Sequence, residues 1–152
     1  MTDDDSGASM RAADSAHTQG VPHLPASIAA VIADYPEAVR DRILEVRSLV
    51  WSIAHGDPGI GDLHETLKWG QPSFLTASPR TGTTVRIDRI GKGDDVAVFT
   101  HCQTTLVDEC RARFGDLFDY DGTRAVIVRS SEPIPTTALG EHISAGLTYH
   151  RR

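Results

Sequence analysis

Apolar residues recur along this chain first at helical spacing, then at strand spacing, then at helical spacing again. Ile28, Val31 and Ile32 predict a short helix over residues 27–34, with Ser27 as its N-cap. Pro36 suits the first turn of a second helix, and Glu37 sets a carboxylate at its positive end. In that helix Val39, Ile43, Val46, Val50 and Ile53 recur at spacings of four, three, four and three. They form one buried stripe that stops before His55-Gly56-Asp57-Pro58-Gly59. From Glu65 the period changes to two. Segments 65–70, 73–76, 84–90 and 96–102 read as strands, with Gly91-Lys92-Gly93-Asp94-Asp95 joining the last two. Thr105 is placed to cap a helix bearing Leu106, Val107, Cys110 and Phe114, which Gly115 ends. Phe118-Asp119-Tyr120, the Asp121-Gly122 turn and residues 124–129 predict a hairpin. Leu139, Ile143 and Leu147 then share one face of a closing helix behind Pro133 and Pro135. Helices at both ends of a run of strands predict an α+β domain. Short connections predict an antiparallel meander, with the helices packed on one face of the sheet. Its expected core is Val39, Ile43, Val46, Val50, Leu106, Ile127, Ile143 and Leu147.

The start of the chain breaks this pattern. Residues 1–20 are largely Asp, Ser, Ala, Gly and Thr, which predicts a disordered acidic tail over 1–24 ahead of a single domain over 25–152. Neither a secretory signal nor a transit peptide is expected in it. Asp3, Asp4, Asp5 and Asp14 against Arg11 give the tail −3 of the total −6, so the domain itself is nearly neutral. A body of that charge argues against a binder of nucleic-acid backbones. No window approaches the ~18 apolar residues of a membrane span, so no membrane partner is expected. Two cysteines, Cys102 and Cys110, cannot make a secreted disulfide framework, which predicts a cytoplasmic setting and small core thiols. His101 and Cys102 are adjacent in a strand and point to opposite faces, so they do not pair for catalysis. The thiols and the histidines His64, His101, His142 and His150 match no zinc spacing.

Candidate chemistry centres on Lys68. The chain has 13 Arg and only two Lys, Lys68 and Lys92, and a Lys beside Trp69 hints that a compact ammonium is wanted there. Lys68 either solvates the open side of a half-buried sheet or lines an anion or carbonyl site with Gln71 and Arg124. Strand alternation places Trp69 in the core. Gly70 and Pro72 around Gln71 predict a strand that bends and stops pairing, leaving backbone groups for a ligand. The candidate ligand-binding set is thus Lys68, Trp69, Gln71, His101 and Arg124. Separately, Glu37, Asp41 and Glu45 stand at i, i+4 and i+8 on one helical face, where oxygen ligands suit a hard cation. Arg40, Arg42 and Arg47 on the same helix offset that charge.

The run Glu65-Thr66-Leu67-Lys68-Trp69-Gly70-Gln71-Pro72-Ser73-Phe74 resembles the signature of the YdhG-like domain, a bacterial family of unknown function. Phe99-Thr100-His101-Cys102-Gln103-Thr104-Thr105-Leu106-Val107 is similar to its strand-to-helix junction. Asp121-Gly122-Thr123-Arg124-Ala125-Val126 resembles its second hairpin, and Leu147-Thr148-Tyr149-His150 its closing helix. The resemblance covers about residues 26–150 and implies a frataxin-like α+β fold. One Gram-positive member has been assigned an iron-delivery role, and most members have no assigned activity. The combined expectation is a small-ligand-binding or accessory module without a cofactor or demonstrated catalysis. Its alternatives are a frataxin-like iron carrier using Glu37, Asp41 and Glu45, or an enzyme using Lys68 or His101.

Overall fold

The computed structural model describes residues 20–76 and 80–151. Two helices open it, α1 (Ala26–Ala33) and α2 (Glu37–Gly56). Strands β1 (Leu63–Lys68), β2 (Gln71–Thr76), β3 (Val85–Arg89) and β4 (Val96–Phe99) follow. Helix α3 (Leu106–Phe114), strands β5 (Asp119–Asp121) and β6 (Ala125–Val128) and helix α4 (Thr136–Leu147) complete the order. The expected acidic tail lies, as far as residue 19, outside the described residues. Residues 22–24, assigned to that tail from composition, are held by the fold. Leu24 packs against the core, and the carbonyls of Pro22 and His23 accept from Arg47.

The six strands form one antiparallel sheet in the order β1-β2-β3-β4-β6-β5. The first four are the expected meander. The order then departs from it: the chain leaves β4 through α3, lays β5 on the far edge, and brings β6 back beside β4. Alternation sets the two faces. Phe74, Val85, Ile87, Val96, Val98, Val126 and Val128 join the helical residues Ile28, Ile32, Val39, Ile43, Val46, Val50, Leu139, Ile143 and Leu147 in one core. Val107 and Cys110 of α3 belong to the same core, so all four helices cover one face. The opposite face carries a thin second cluster, Ala97, Phe99 and Ala125 with Ile90 and Ile127. Ile127 was expected in the main core; its neighbours Val126 and Val128 take the helix-facing positions, which turns Ile127 outward.

Two expected caps do not form. Pro25 precedes the first turn of α1, so Ser27 falls inside the helix, and no side chain caps it. Thr105 does precede α3, but its hydroxyl donates to the Glu109 carboxylate rather than accepting from backbone. The long stripe of α2 is present, and Ile43 is 1% exposed. Ile43→Ala should cost about 2–5 kcal/mol, the usual range for a large buried side chain cut to Ala. Denaturant unfolding measures this, and a loss below about 1 kcal/mol would place Ile43 outside the core.

One charged residue sits inside the same helix–sheet layer. Arg47 is 6% exposed and makes a two-pronged pair with Glu65 of β1, Nε to Oε2 at 2.5 Å and Nη2 to Oε1 at 2.9 Å. Nη2 also donates to the carbonyls of Pro22 (2.8 Å) and His23 (3.2 Å), and the Trp51 indole N–H donates to Glu65 Oε1 at 3.3 Å. Arg47 thus belongs to a buried network, not to the solvent face that the interleaving of charges on α2 suggested.

Candidate functional site

The site lies on the sheet face that no helix covers, at the end of the β1–β2 hairpin. β1 and β2 pair from Leu63↔Thr76 to Lys68↔Gln71, so Trp69-Gly70 alone makes the turn. Both have positive φ, 56° and 74°, the backbone that a two-residue hairpin of right-handed twist requires. Two expectations are corrected here. Gln71 and Pro72 are paired strand residues, not a kink with unpaired backbone. Trp69 is 89% exposed, because its left-handed turn position aims the ring away from the core.

Beyond the hairpin the β2–β3 ladder is short, with only Ser73↔Arg86 and Phe74↔Val85 in register. Side chains take over where it ends. The Gln71 amide donates to Asp88 Oδ2 at 3.0 Å, while its carbonyl accepts from Arg86 Nη1, also at 3.0 Å. The Tyr35 hydroxyl donates to the other Asp88 oxygen, and burial followed by that carboxylate pushes the phenol up to about 12. Gln71 thereby orients Arg86 from behind. Burial, then the charge of Arg124, lowers the Arg86 guanidinium from its usual range, so it gains from an incoming negative charge.

Arg86 opens into a cleft of about 210 Å³ lined also by Lys68, Trp69, Arg80, Thr83, Thr84 and His101. Lys68 and Arg80 are shared with an adjoining cleft of about 330 Å³ bounded by Leu75, Thr76, Gly82 and Thr84. The first cleft carries four groups able to bear positive charge and no carboxylate in its lining. The β2–β3 connection that bears Arg80 is pinned at its base. Thr76 Oγ1 accepts from the N–H groups of Thr81 (3.1 Å) and Gly82 (2.9 Å). The Thr81 hydroxyl donates to the Leu147 carbonyl at 2.9 Å, Thr83 N–H donates to Gly146 O at 2.9 Å, and His150 N–H donates to Thr81 O at 2.8 Å. Gly82 is required by this packing, since a Cβ there would fall 2.4 Å from the Leu147 backbone.

Compared with solved structures, the chain is similar to YdhG of Bacillus subtilis, a protein of the DUF1801 family. Identity is 20% over 78% of this chain and 86% of that chain, with a TM-score of 0.53. The fold is YdhG-like. No family model and no curated protein matches the chain.

Within the YdhG-like fold, Lys68, Trp69 and His101 of the five sequence-selected residues come to one cleft. Gln71 supports it from behind. Arg124 is turned away: its Nε and Nη2 bind Asp121 Oδ2 at 3.0 and 2.7 Å, and its guanidinium lies 5.3 Å from the Phe99 ring centre. Arg86 and Arg80 were missed. Arg86 alternates with Val85 and Ile87, a signal that it shares the open face; Arg80 sits in a connection that carries no periodic signal. His101 and Cys102 lie past the end of β4 in a turn closed by Thr104 N–H to His101 O at 3.0 Å. Cys102 is therefore exposed rather than a core residue, while Cys110 is buried and its thiol is pushed up to about 11 by that burial.

Two other groupings complete the chemistry of the fold. Glu37, Asp41 and Glu45 are exposed on the outward face of α2, and Glu45 lies 3.6 Å from Arg42. Among the described residues no three metal-ligating side chains gather around one position. Between α3 and α4 a cavity of about 130 Å³ is lined by residues that include Cys110 and His142. His142 is 3% exposed, and its Nε2 has no hydrogen-bond partner. Burial lowers its imidazole to about 4, against the opposing charge of Glu109.

Proposed function

We propose that this protein binds a small anion on the open face of its sheet and acts as a binding or accessory module. The observation that carries this is the convergence of Lys68, Arg80, Arg86 and His101 on one cleft whose lining holds no carboxylate. Lys68 and Arg80 make no ion pair among the described residues, and Arg86 is held by Gln71 through one nitrogen, which leaves its other donors for a ligand. Charge-assisted hydrogen bonds of this kind contribute about 1.5–3 kcal/mol each. The two free thiols are consistent with work in a reducing, cytoplasmic setting, and no helix among the described residues is long and apolar enough to cross a membrane.

The test is a titration with inorganic phosphate at low ionic strength, followed by calorimetry and by backbone amide shifts around Lys68 and Arg86. Lys68→Met and Arg86→Met should each weaken binding by roughly tenfold or more. Lys68→Met should leave thermal unfolding almost unchanged, because an exposed lysine without a partner contributes little to the fold. Wild-type protein that shows no shifts at these amides under saturating phosphate would remove the proposal.

A further inference from the structure

Trp69 is placed where the domain itself gains nothing from it. Turn chemistry favours Asn or Asp before Gly in a two-residue hairpin loop, and a bulky side chain at a φ of 56° is strained. Its 89% exposure leaves almost the whole indole in water. No ring or guanidinium stacks on it among the described residues; the aromatic and cation contacts involve other rings. Strain and exposure together at the rim of a cationic cleft point to a ligand that supplies the missing contact.

We propose that the ligand of this cleft is a small anion carrying a planar ring, of the class of a nucleoside 5′-monophosphate, with its phosphate among Lys68, Arg80, Arg86 and His101 and its base stacked on Trp69. The inference rests on the anion-binding reading and deepens it. Three cations and an imidazole exceed what the two oxygens of a carboxylate engage, and they match a phosphate with three oxygens and close to two negative charges. Trp69 and Leu117 are the exposed large apolar residues among those described, and the Phe99 ring of the open face is already occupied by Arg86 and Arg124. One free aromatic surface accepts one base. A single-stranded nucleic acid is held by successive stacking platforms along a basic groove, whereas the described residues offer one exposed platform on a nearly neutral domain.

The experiment compares adenosine 5′-monophosphate, ribose 5-phosphate, inorganic phosphate and a short oligodeoxyadenylate by calorimetry on the full chain. Three forms are used: wild type, Trp69→Asn and Trp69→Phe. Wild type should bind adenosine monophosphate roughly tenfold or more tightly than ribose 5-phosphate. Trp69→Asn should bind the two alike, with an unchanged or raised melting temperature because Asn suits the turn. Trp69→Phe keeps a ring and should retain much of the preference. Equal affinity of wild type for the two phosphates would overturn the stacking inference and leave the anion reading standing. No binding of any of the three small phosphates would remove both. Binding of the oligonucleotide without binding of the mononucleotide would overturn the inference in favour of a chain ligand.

Discussion

Replacing Glu65 with alanine is expected to destabilise the protein by about 3–5 kcal/mol, the cost of stranding the partner of a buried ion pair. The side chains of Arg47 and Glu65 are 7% and 4% exposed, so water does not replace the lost carboxylate readily. The carbonyls of Pro22 and His23 would remain on Nη2, but Nε and the Trp51 indole would lose their acceptor. Denaturant unfolding with an unchanged slope gives the loss directly. The double replacement Arg47→Met with Glu65→Leu should recover part of it, because an apolar pair removes the stranded charge, although the Trp51 indole and the Pro22 and His23 carbonyls still lose their partners. A loss below about 1 kcal/mol for Glu65→Ala would mean that the pair is solvated.

Acid should weaken the fold through His142. Burial holds this imidazole at about 4 in the folded chain, against 6.5 for an ordinary histidine. Between those values the unfolded chain binds more protons than the folded one, so stability is complete above about pH 6.5 and declines as pH falls towards 4. The whole decline is of order 3 kcal/mol. Glu109 works against it by favouring the charged ring, and the Arg113–Glu141 pair, at 2.9 Å, stands beside the same cavity. Comparing wild type with His142→Leu at pH 7 and pH 4.5 separates this histidine from the carboxylates that titrate alongside it. The difference between the two proteins should shift towards the variant by roughly 2 kcal/mol at the lower pH, most of the whole decline. A difference independent of pH would show that water reaches Nε2 in the folded state.

The elements were legible where burial enforces a period. The stripe Val39–Ile43–Val46–Val50 and the alternation of Val85 and Ile87 with Arg86 and Asp88 repeat because one face of each element is dry. Misreadings fell where a local pattern ran on past a turn. Trp69 continues the alternation of Leu67, yet the hairpin turns at that residue, and only the following Gly70 signals it. Cys102 continues the alternation of β4 past its last residue, Phe99. Arg47 neighbours the buried stripe, and whether such an arginine faces water depends on a carboxylate 18 residues away that no local window contains. The candidate site was half legible for the same reason: Lys68 and Trp69 are local to one signature, whereas Arg80 and Arg86 reach them only through the sheet.

The pinning of the β2–β3 connection by the end of α4 has a consequence for the order of assembly. Thr81 and Leu147, joined by a hydrogen bond, are 66 residues apart, and the partners of Thr83 and Thr81 also come from residues 146–150. A chain emerging from the ribosome can pair β1 with β2 and β3 with β4 from neighbouring segments. The stretch bearing Arg80 has only its local bonds to Thr76 until the last helix has been made and has docked. The connection bearing Arg80 therefore completes its anchoring only when α4 docks, and C-terminally shortened chains would lose that anchor together with the core residues Leu139, Ile143 and Leu147.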